Sequence, residues 1–428
     1  MRLVYNLGLH TSALLAGPVL LPWILTAPKR RISVPRRLSL ILPDPPPAGT
    51  GRRIWIHALS VGETLSAVPL VAGLRDRYPT GSLVVSASTQ TGFDLADARL
   101  ARFTDGRFFF PFDLLPSVRR TIRRVAPDLV ILVETDIWPN ILADLARRGV
   151  PAVLVNGRLS DRSAAGYRRL AGLMEPALAS LSAVCAQSAE DARRYVALGV
   201  PPDRVTVTGS LKFDIDGDPP SDADKGALRG TLGAEHDARV VVVGSTHEGE
   251  EAVLAEAFQR LRDAHPTLFP VVTPRDPARA DAAARVFSAH GFRLARLTAI
   301  EAGGAAGAAD GVVVDRIGRL QALYGAADAA VVGGSFVPLG GHNPLEPAVL
   351  AVPVLFGPHM DAFREISASL LEARGAVRVT DAAGVASVLD HWLAHPEAAR
   401  AAGAAGRQAV LTHRGAVDRT LAVIDRWV

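Results

Sequence analysis

Two glutamates follow apolar, strand-like runs in the first half of the chain: Glu63 in RRIWIHALSVGET and Glu134 in DLVILVETDIWPN. A carboxylate at the mouth of an α/β cleft can take the proton of an attacking hydroxyl, which is general-base chemistry. A glutamate in the first turn of a helix also complements the helix dipole, so Glu63 carries a capping reading beside the catalytic one. The second half offers another chemistry. GSTHEGEE (244–251) follows a strand and opens a helix, where backbone N–H groups can hold phosphate, so Gly244, Ser245 and Thr246 are candidate phosphate contacts. Arg275 in VVTPRDP can pair with phosphate bidentately. VVGGSFVPLGGHNPLEP (331–347) holds four glycines that permit close backbone approach to a ligand, with Gly341 and His342 in the loop. Its Asn343-x-x-Glu346 pair includes a carboxylate able to accept from both hydroxyls of a ribose. Together these segments read as a site for an anionic nucleotide. His247 and His342 lack a surrounding ligand pattern and read as hydrogen-bonding groups, not metal ligands.

Other sites are excluded by spacing. After the first strand only Gly62 stands where a G-x-G-x-x-G dinucleotide turn needs three glycines. G-x-x-x-x-G-K-[ST], H-E-x-x-H and G-x-S-x-G are absent. The lone Cys185 in SAVCAQS has no partner for an internal disulfide or a structural zinc site and reads as a small buried hydrophobe in a reducing compartment. The net charge is only +4 and aromatics make 6%, with no zinc-finger or RRM-like signature, so nucleic acid is not an expected partner. Clusters such as Arg119, Arg120, Arg123 and Arg124 read as solvated helix faces.

Positioning such residues takes two cores, and 428 residues with 49% hydrophobic and 21% charged side chains supply them. RRIWIHALS, SLVVSAS, DLVILVET, PAVLVNG and AVCAQS alternate with helical stretches, and their continuous apolarity suits a parallel sheet covered on both faces. DIDGDPPSDADKG (214–226) interrupts the pattern as an interdomain connection, and ARVVVVGST, FPVVTPR, GVVVDR, ADAAVVGGS and VPVLFGP restart it. The expected fold class is therefore α/β, two Rossmann-like doubly wound domains at 29–215 and 226–410 facing a cleft, with active residues after strands in both. The Ala/Gly-rich stretch TAIEAGGAAGAADG reads as a surface loop, and DPPPAGTGRR (44–53) as a linker. Residues 3–27 carry no formal charge and precede Lys29, Arg30, Arg31, Arg36 and Arg37, which predicts an N-terminal membrane anchor helix over 1–28 with the following chain cytoplasmic. Pro18 and Pro22 weaken that helix, and a re-entrant or surface-lying segment is the alternative to a span.

IHALSVGET, ETDIWPN, NGRLSDRSAAGY, GSLKFD, GSTHEGEE, TPRDP and GGSFVPLGGHNPLEP, in this order and spacing, resemble the 3-deoxy-D-manno-octulosonic acid (Kdo) transferase family of lipopolysaccharide biosynthesis, from about Arg53 to the C-terminal helix. The resemblance implies a GT-B glycosyltransferase on the cytoplasmic face of the inner membrane, taking CMP-Kdo as donor and lipid IVA, a lipid A precursor, as acceptor. It implies inversion at the anomeric carbon, no metal, and no cofactor beyond the co-substrate CMP-Kdo. By the same pattern Glu63 is the general base, while Glu134 and Lys212 stabilise the transition state. Donor CMP contacts fall on Pro274, Arg275, Ile317, Gly318, Arg319, Asn343, Pro344, Leu345 and Glu346. The helix at 411–428 is expected to pack back on the N-terminal domain. IGRL stands here where M-G-E-L is common, so Arg319 replaces an acid and only a backbone contact carries over. GSLK, PRDP and ETDIWP are further variants that keep the Lys, the Arg and the first Glu. The competing readings are a nucleotide-sugar epimerase of the same architecture and a non-catalytic membrane-bound nucleotide-sugar binding protein.

Overall fold

The computed structural model describes residues 1–44, 51–134, 137–303 and 309–428, without the side chains of residues 19–21, 23 and 25. Residues 45–50 of the proline-rich linker, Thr135 and Asp136 of ETDIWPN, and 304–308 of the Ala/Gly-rich loop lie outside the described residues. The chain forms two units, Met1–Asp214 with His413–Val428, and Ile215–Thr412.

The first unit holds a parallel sheet of β1 (Arg53–His57), β2 (Ser82–Ala87), β3 (Gly106–Phe109), β4 (Leu129–Val133), β5 (Ala152–Gly157), β6 (Ala183–Ala186) and β7 (Val205–Val207). Its order is β3-β2-β1-β4-β5-β6-β7. The second unit repeats the plan with β8 (Arg239–Thr246), β9 (Leu268–Pro274), β10 (Leu294–Arg296), β11 (Gly311–Val313), β12 (Ala329–Val332), β13 (Val354–Phe356) and β14 (Ala376–Arg378), ordered β10-β11-β9-β8-β12-β13-β14. Both sheets are thus α/β and doubly wound, as the uninterrupted apolar runs predict.

Those runs are explained by burial on two faces. In β1, Ile54 and Ile56 pack with Leu70, Val71 and Leu74 on one side, while Trp55 packs with Phe108 and Val130 on the other. In β8, Val241 and Val243 face one cluster and Val240 and Val242 the opposite one. Each fully buried Val, Leu or Ile stabilises the fold by about 1.5–3 kcal/mol, so the central strands anchor everything that follows them. The four edge strands β3, β7, β10 and β14 are absent from the sequence reading. Three of them have three residues and half-exposed patterns, so they offer no continuous apolar run to detect.

Winding direction reverses between β1 and β4 in the first sheet and between β8 and β12 in the second. At such a switch point neighbouring connections leave to opposite faces, and a crevice opens at the carboxyl ends of the two strands. Glu63 and Glu134 follow β1 and β4, and GGSFVPLGGHNPLEP follows β12. GSTHEGEE does not wholly follow a strand as the sequence suggests: Gly244, Ser245 and Thr246 are the last three residues of β8, and the helix opens only at Glu250. Both sets of sequence-marked residues flank a crevice.

The helix Val61–Arg77, which carries Glu63, is buttressed by the C-terminal helix Ala416–Ile424: Leu421 and Ile424 share a cluster with Leu70 and Leu74. Arg77 pairs with Asp425 at 2.6 Å, and Tyr78 hydrogen-bonds the same carboxylate. At the amino terminus a helix spans Arg2–Leu25 with Pro18 and Pro22 inside it, followed by the basic helix Pro28–Arg37. Among the described residues no helix is long and apolar enough to cross a membrane.

Candidate active site

The first crevice is built around Glu134. It ends β4 in the left-handed region, φ 65°, with its N–H donating to Val155 O at 2.9 Å. Its neighbour across the sheet, Asn156, is the penultimate residue of β5 and has φ 54°. Two adjacent strands therefore carry, at or next to their ends, non-glycine residues in a conformation that L-residues disfavour, a kind of strain that clusters at functional sites. The Glu134 carboxylate oxygen Oε1 receives Lys212 Nζ, Ser66 Oγ and Asn156 Nδ2, each at 3.4 Å. Side-chain exposures of 17% for Glu134 and 24% for Lys212 leave the pair partly open at the crevice.

Lys212 sits on the 3-10 turn Leu211–Phe213, whose Leu211 and Phe213 are buried and so fix the intervening side chain. Asn156 Oδ1 accepts from Leu211 N at 3.1 Å, which ties the lysine turn to the end of β5. Asp214, just beyond, accepts from Gly415 N and Val417 N and caps the C-terminal helix. One short stretch thus carries the cation and joins the two ends of the unit.

Glu63 lies at the third position of its helix in a capping box with Ser60. Its Oε2 accepts from Ser60 N at 3.3 Å and from Leu59 N. The capping reading therefore holds, and it does not displace the catalytic one, because a carboxylate has about four acceptor sites. Ser66, one turn along, has Glu63 O at 2.9 Å and Glu134 Oε1 at 3.4 Å as acceptors for its one hydroxyl proton. The serine thus links the backbone of Glu63 to the carboxylate of Glu134, which in turn pairs with Lys212.

In the second unit, Arg275 N donates to Thr246 O at 2.9 Å, which joins the GST turn to the PRDP turn. Ser245 has φ 59°, and Gly334, Gly340 and Gly341 all have positive φ, so the loops after β8 and β12 fold back tightly. His247 Nε2 meets His342 Nε2 at 2.8 Å, so one ring donates and the other accepts. Burial, then His247 and the nearby Arg275 cation, push the His342 imidazole down from 6.5 to about 4, which keeps it neutral at pH 7. The histidines behave as the hydrogen-bonding groups that the sequence suggests. Among the described residues no group of three or more His, Cys, Asp or Glu could hold a metal ion.

Asn343 Oδ1 accepts from Leu345 N at 3.1 Å in a local turn, and its Nδ2 donates to Glu346 Oε1 at 3.4 Å. Pro344 and Leu345 are buried and set the start of the short helix that presents Glu346. Gly244 lies under Tyr324: a Cβ there would sit 1.9 Å from the phenol oxygen, so the helix after residue 319 closes directly on the end of β8. Pro274 is buried and Arg275 exposed. The remaining candidates stand apart from these contacts. Ile317 is 78% exposed, Gly318 has φ 86°, and Arg319 pairs with Glu301 at 2.6 Å.

Comparison with known proteins follows the same residues. A family model described as 3-Deoxy-D-manno-octulosonic-acid transferase (kdotransferase) matches residues 30–215. The 3-deoxy-D-manno-octulosonic acid transferase of Haemophilus influenzae is 34% identical over 90% of this chain and 88% of its own. The chain belongs to the Kdo transferase family. A second relative of the same description, from Bordetella pertussis, is 35% identical over 89% of each chain. The Kdo transferase is accordingly a glycosyltransferase, and its two α/β units have the GT-B-like fold also found in the UDP-GlcNAc 2-epimerase of Neisseria meningitidis, with a TM-score of 0.58 and 11% identity over 87% of this chain and 100% of that one.

Three residues of this transferase's site escape the sequence reading. Ser66 and Asn156 are neutral, and nothing in their types marks them. The third, Glu250, is fully buried and accepts from the N–H groups of His247 at 3.0 Å, Gly334 at 2.7 Å, Ser335 at 2.9 Å and Phe336 at 2.8 Å. It staples the loop after β8 to the loop after β12. The signal for it was present in GSTHEGEE, where a glutamate opens a helix among glycines.

Proposed function

We propose that the protein transfers Kdo from CMP-Kdo to lipid IVA at the cytoplasmic face of the inner membrane, with inversion at the anomeric carbon and without a metal. The observation that carries this reading is the cluster in which Glu134 receives Lys212, Ser66 and Asn156, one helical turn from Glu63. Family membership supports the donor. In the step we envisage, the acceptor hydroxyl oxygen bonds to the anomeric carbon as the bond from that carbon to the CMP phosphate oxygen breaks. The electron pair leaves with CMP, and the Glu63 carboxylate takes the hydroxyl proton. Lys212, held by Glu134, offsets negative charge that develops as the bonds exchange.

The second unit supplies the donor contacts in this proposal. Arg275 and the N–H groups of the GST turn face the phosphate, and Glu346, positioned by Asn343, accepts from the ribose. Neutral His342 orients without adding charge. Arg319 is assigned only a backbone contact, because its guanidinium is engaged by Glu301. Incubation with CMP-Kdo and lipid IVA, after exhaustive chelation, tests the whole proposal: CMP and a heavier lipid are expected. Turnover of UDP-GlcNAc without an acceptor, and no CMP release, would instead make the protein an epimerase.

A further inference from the structure

The amino-terminal arm, made of the helices Arg2–Leu25 and Pro28–Arg37, is held to the first unit at both of its ends. In its first turns Tyr5 Oη donates to Asp113 Oδ2 at 2.9 Å, and the Asn6 and Asn140 amides exchange bonds at 3.0 and 2.7 Å. Asn140 is fully buried and Asp113 is 5% exposed, so these partners belong to the domain interior. Asp113 also accepts from Asn140 N and Ile141 N, each at 3.0 Å. Met1 packs on the helix Ala171–Ala179, where a Cβ on Gly172 would lie 2.8 Å from Met1 Cγ. The following helix returns to the same unit. Arg37 Nε donates to Phe110 O at 3.1 Å, Phe112 N donates to Arg37 O at 2.8 Å, and Ser39 Oγ donates to Ser117 O at 3.0 Å.

Between the two attachments the arm shows an apolar stripe at helical spacing, with Leu3 83%, Leu7 68% and Leu14 78% exposed. Exposed Lys29, Arg31 and Arg36 follow it. An apolar face beside a basic one is the chemistry of a helix lying in the headgroup region of an anionic bilayer. A helix that crosses must place its ends on opposite sides of a hydrocarbon core of about 30 Å. Here residues 2–6 and 37–39, the two ends of the two-helix arm, are bonded to one folded body, so the arm leaves and returns on one side.

We infer that this segment is a monotopic arm: latched by Asp113 and Asn140, it lies along an anionic phospholipid surface and does not cross it. The inference rests on the membrane part of the proposed function and is separable from the chemistry.

Three measurements on the full chain test it. Vesicles of phosphatidylglycerol and phosphatidylethanolamine should bind the protein, and Leu7→Glu with Leu14→Glu should cut the bound fraction at least tenfold. Failure of the wild type to bind, or sedimentation without lipid because the stripe pairs two copies, overturns the docking surface, while CMP release with detergent-dispersed acceptor still reports on the transferase reading. In sealed membrane vesicles with the domains outside, an impermeant maleimide should label Arg2→Cys without detergent, since the native Cys185 is buried. Labelling only after the vesicles are opened means a crossing helix and ends the proposal. Asn6→Cys with Asn140→Cys should form a disulfide on oxidation of the vesicle-bound protein, and its absence would show that the latch opens on the membrane.

Discussion

In each unit the helix after the first strand of the switch point carries a glutamate in its first turn, Glu63 behind β1 and Glu250 behind β8. Glu63 accepts backbone N–H groups from its own loop, Leu59 and Ser60, and is 8% exposed. Glu250 accepts from His247 on its own loop and from Gly334, Ser335 and Phe336 on the loop after β12, and is fully buried. The topology delivers a carboxylate to the same place twice. What differs is where the N–H donors come from: Leu59 and Ser60 lie on the loop that Glu63 itself caps, whereas three of the donors to Glu250 belong to the loop after β12, so that carboxylate serves as scaffold between two loops. The first glutamate therefore caps its own helix beside the Glu134 crevice, and the second holds two separate loops of main chain in shape.

Substituting glutamine at both positions separates the two roles. A Gln still completes a capping box, so Glu63→Gln should leave the melting temperature close to wild type while lowering the transfer rate by about 10²–10⁴-fold, the range for a general base. Retained activity would leave Glu63 a cap and nothing more. Glu250→Gln should do the reverse. Its amide nitrogen must face N–H donors, a loss of about 1–3 kcal/mol or more in a urea titration, with weakened CMP binding as the two loops part. Asn156→Ala probes the other side of the comparison, because it frees both Glu134 and the lysine turn. A kcat loss on the order of tenfold, with donor KM unchanged, is expected for a displaced stabilising group.

Acidification should act on the two units with opposite sign. Burial holds the His342 imidazole at about 4, below its ordinary 6.5, so the unfolded chain binds a proton first and stability is lost as pH falls from 6.5 toward 4. Burial raises the Asp113 carboxyl from 3.8 to about 6, so there the folded chain binds the proton first and stability is gained as pH falls from 6 toward 3.8. Urea midpoints of His342→Gln and Asp113→Asn across pH 4–7 should diverge from wild type in opposite directions. The smallest effect is expected at Arg319→Ala, where an exposed pair with Glu301 contributes at most about 1 kcal/mol and the substitution would leave the proposed backbone contact to CMP in place.

Legibility followed the same physics. Every central strand could be read because burial on both faces writes an unbroken apolar run, while the edges β7, β10 and β14 are short and half solvated. Glu63 and Glu134 stood out because charge beside a strand is costly to bury, whereas Lys212 was marked only by the family resemblance of GSLK. Asn156 did not: its importance lies in a backbone turn and in two neutral hydrogen bonds that no residue type announces. The anchor was legible as an apolar, uncharged stretch, yet composition says nothing of Tyr5 and Asn6 reaching Asp113 and Asn140.

The left-handed backbone at Glu134 and Asn156 has a consequence for how this protein can change. At both positions glycine would relax the chain, and at both it would delete a group on which the site depends. Selection for robustness and selection for turnover therefore pull in opposite directions at the ends of two adjacent strands, and a screen for heat tolerance alone would be drawn toward inactive variants there.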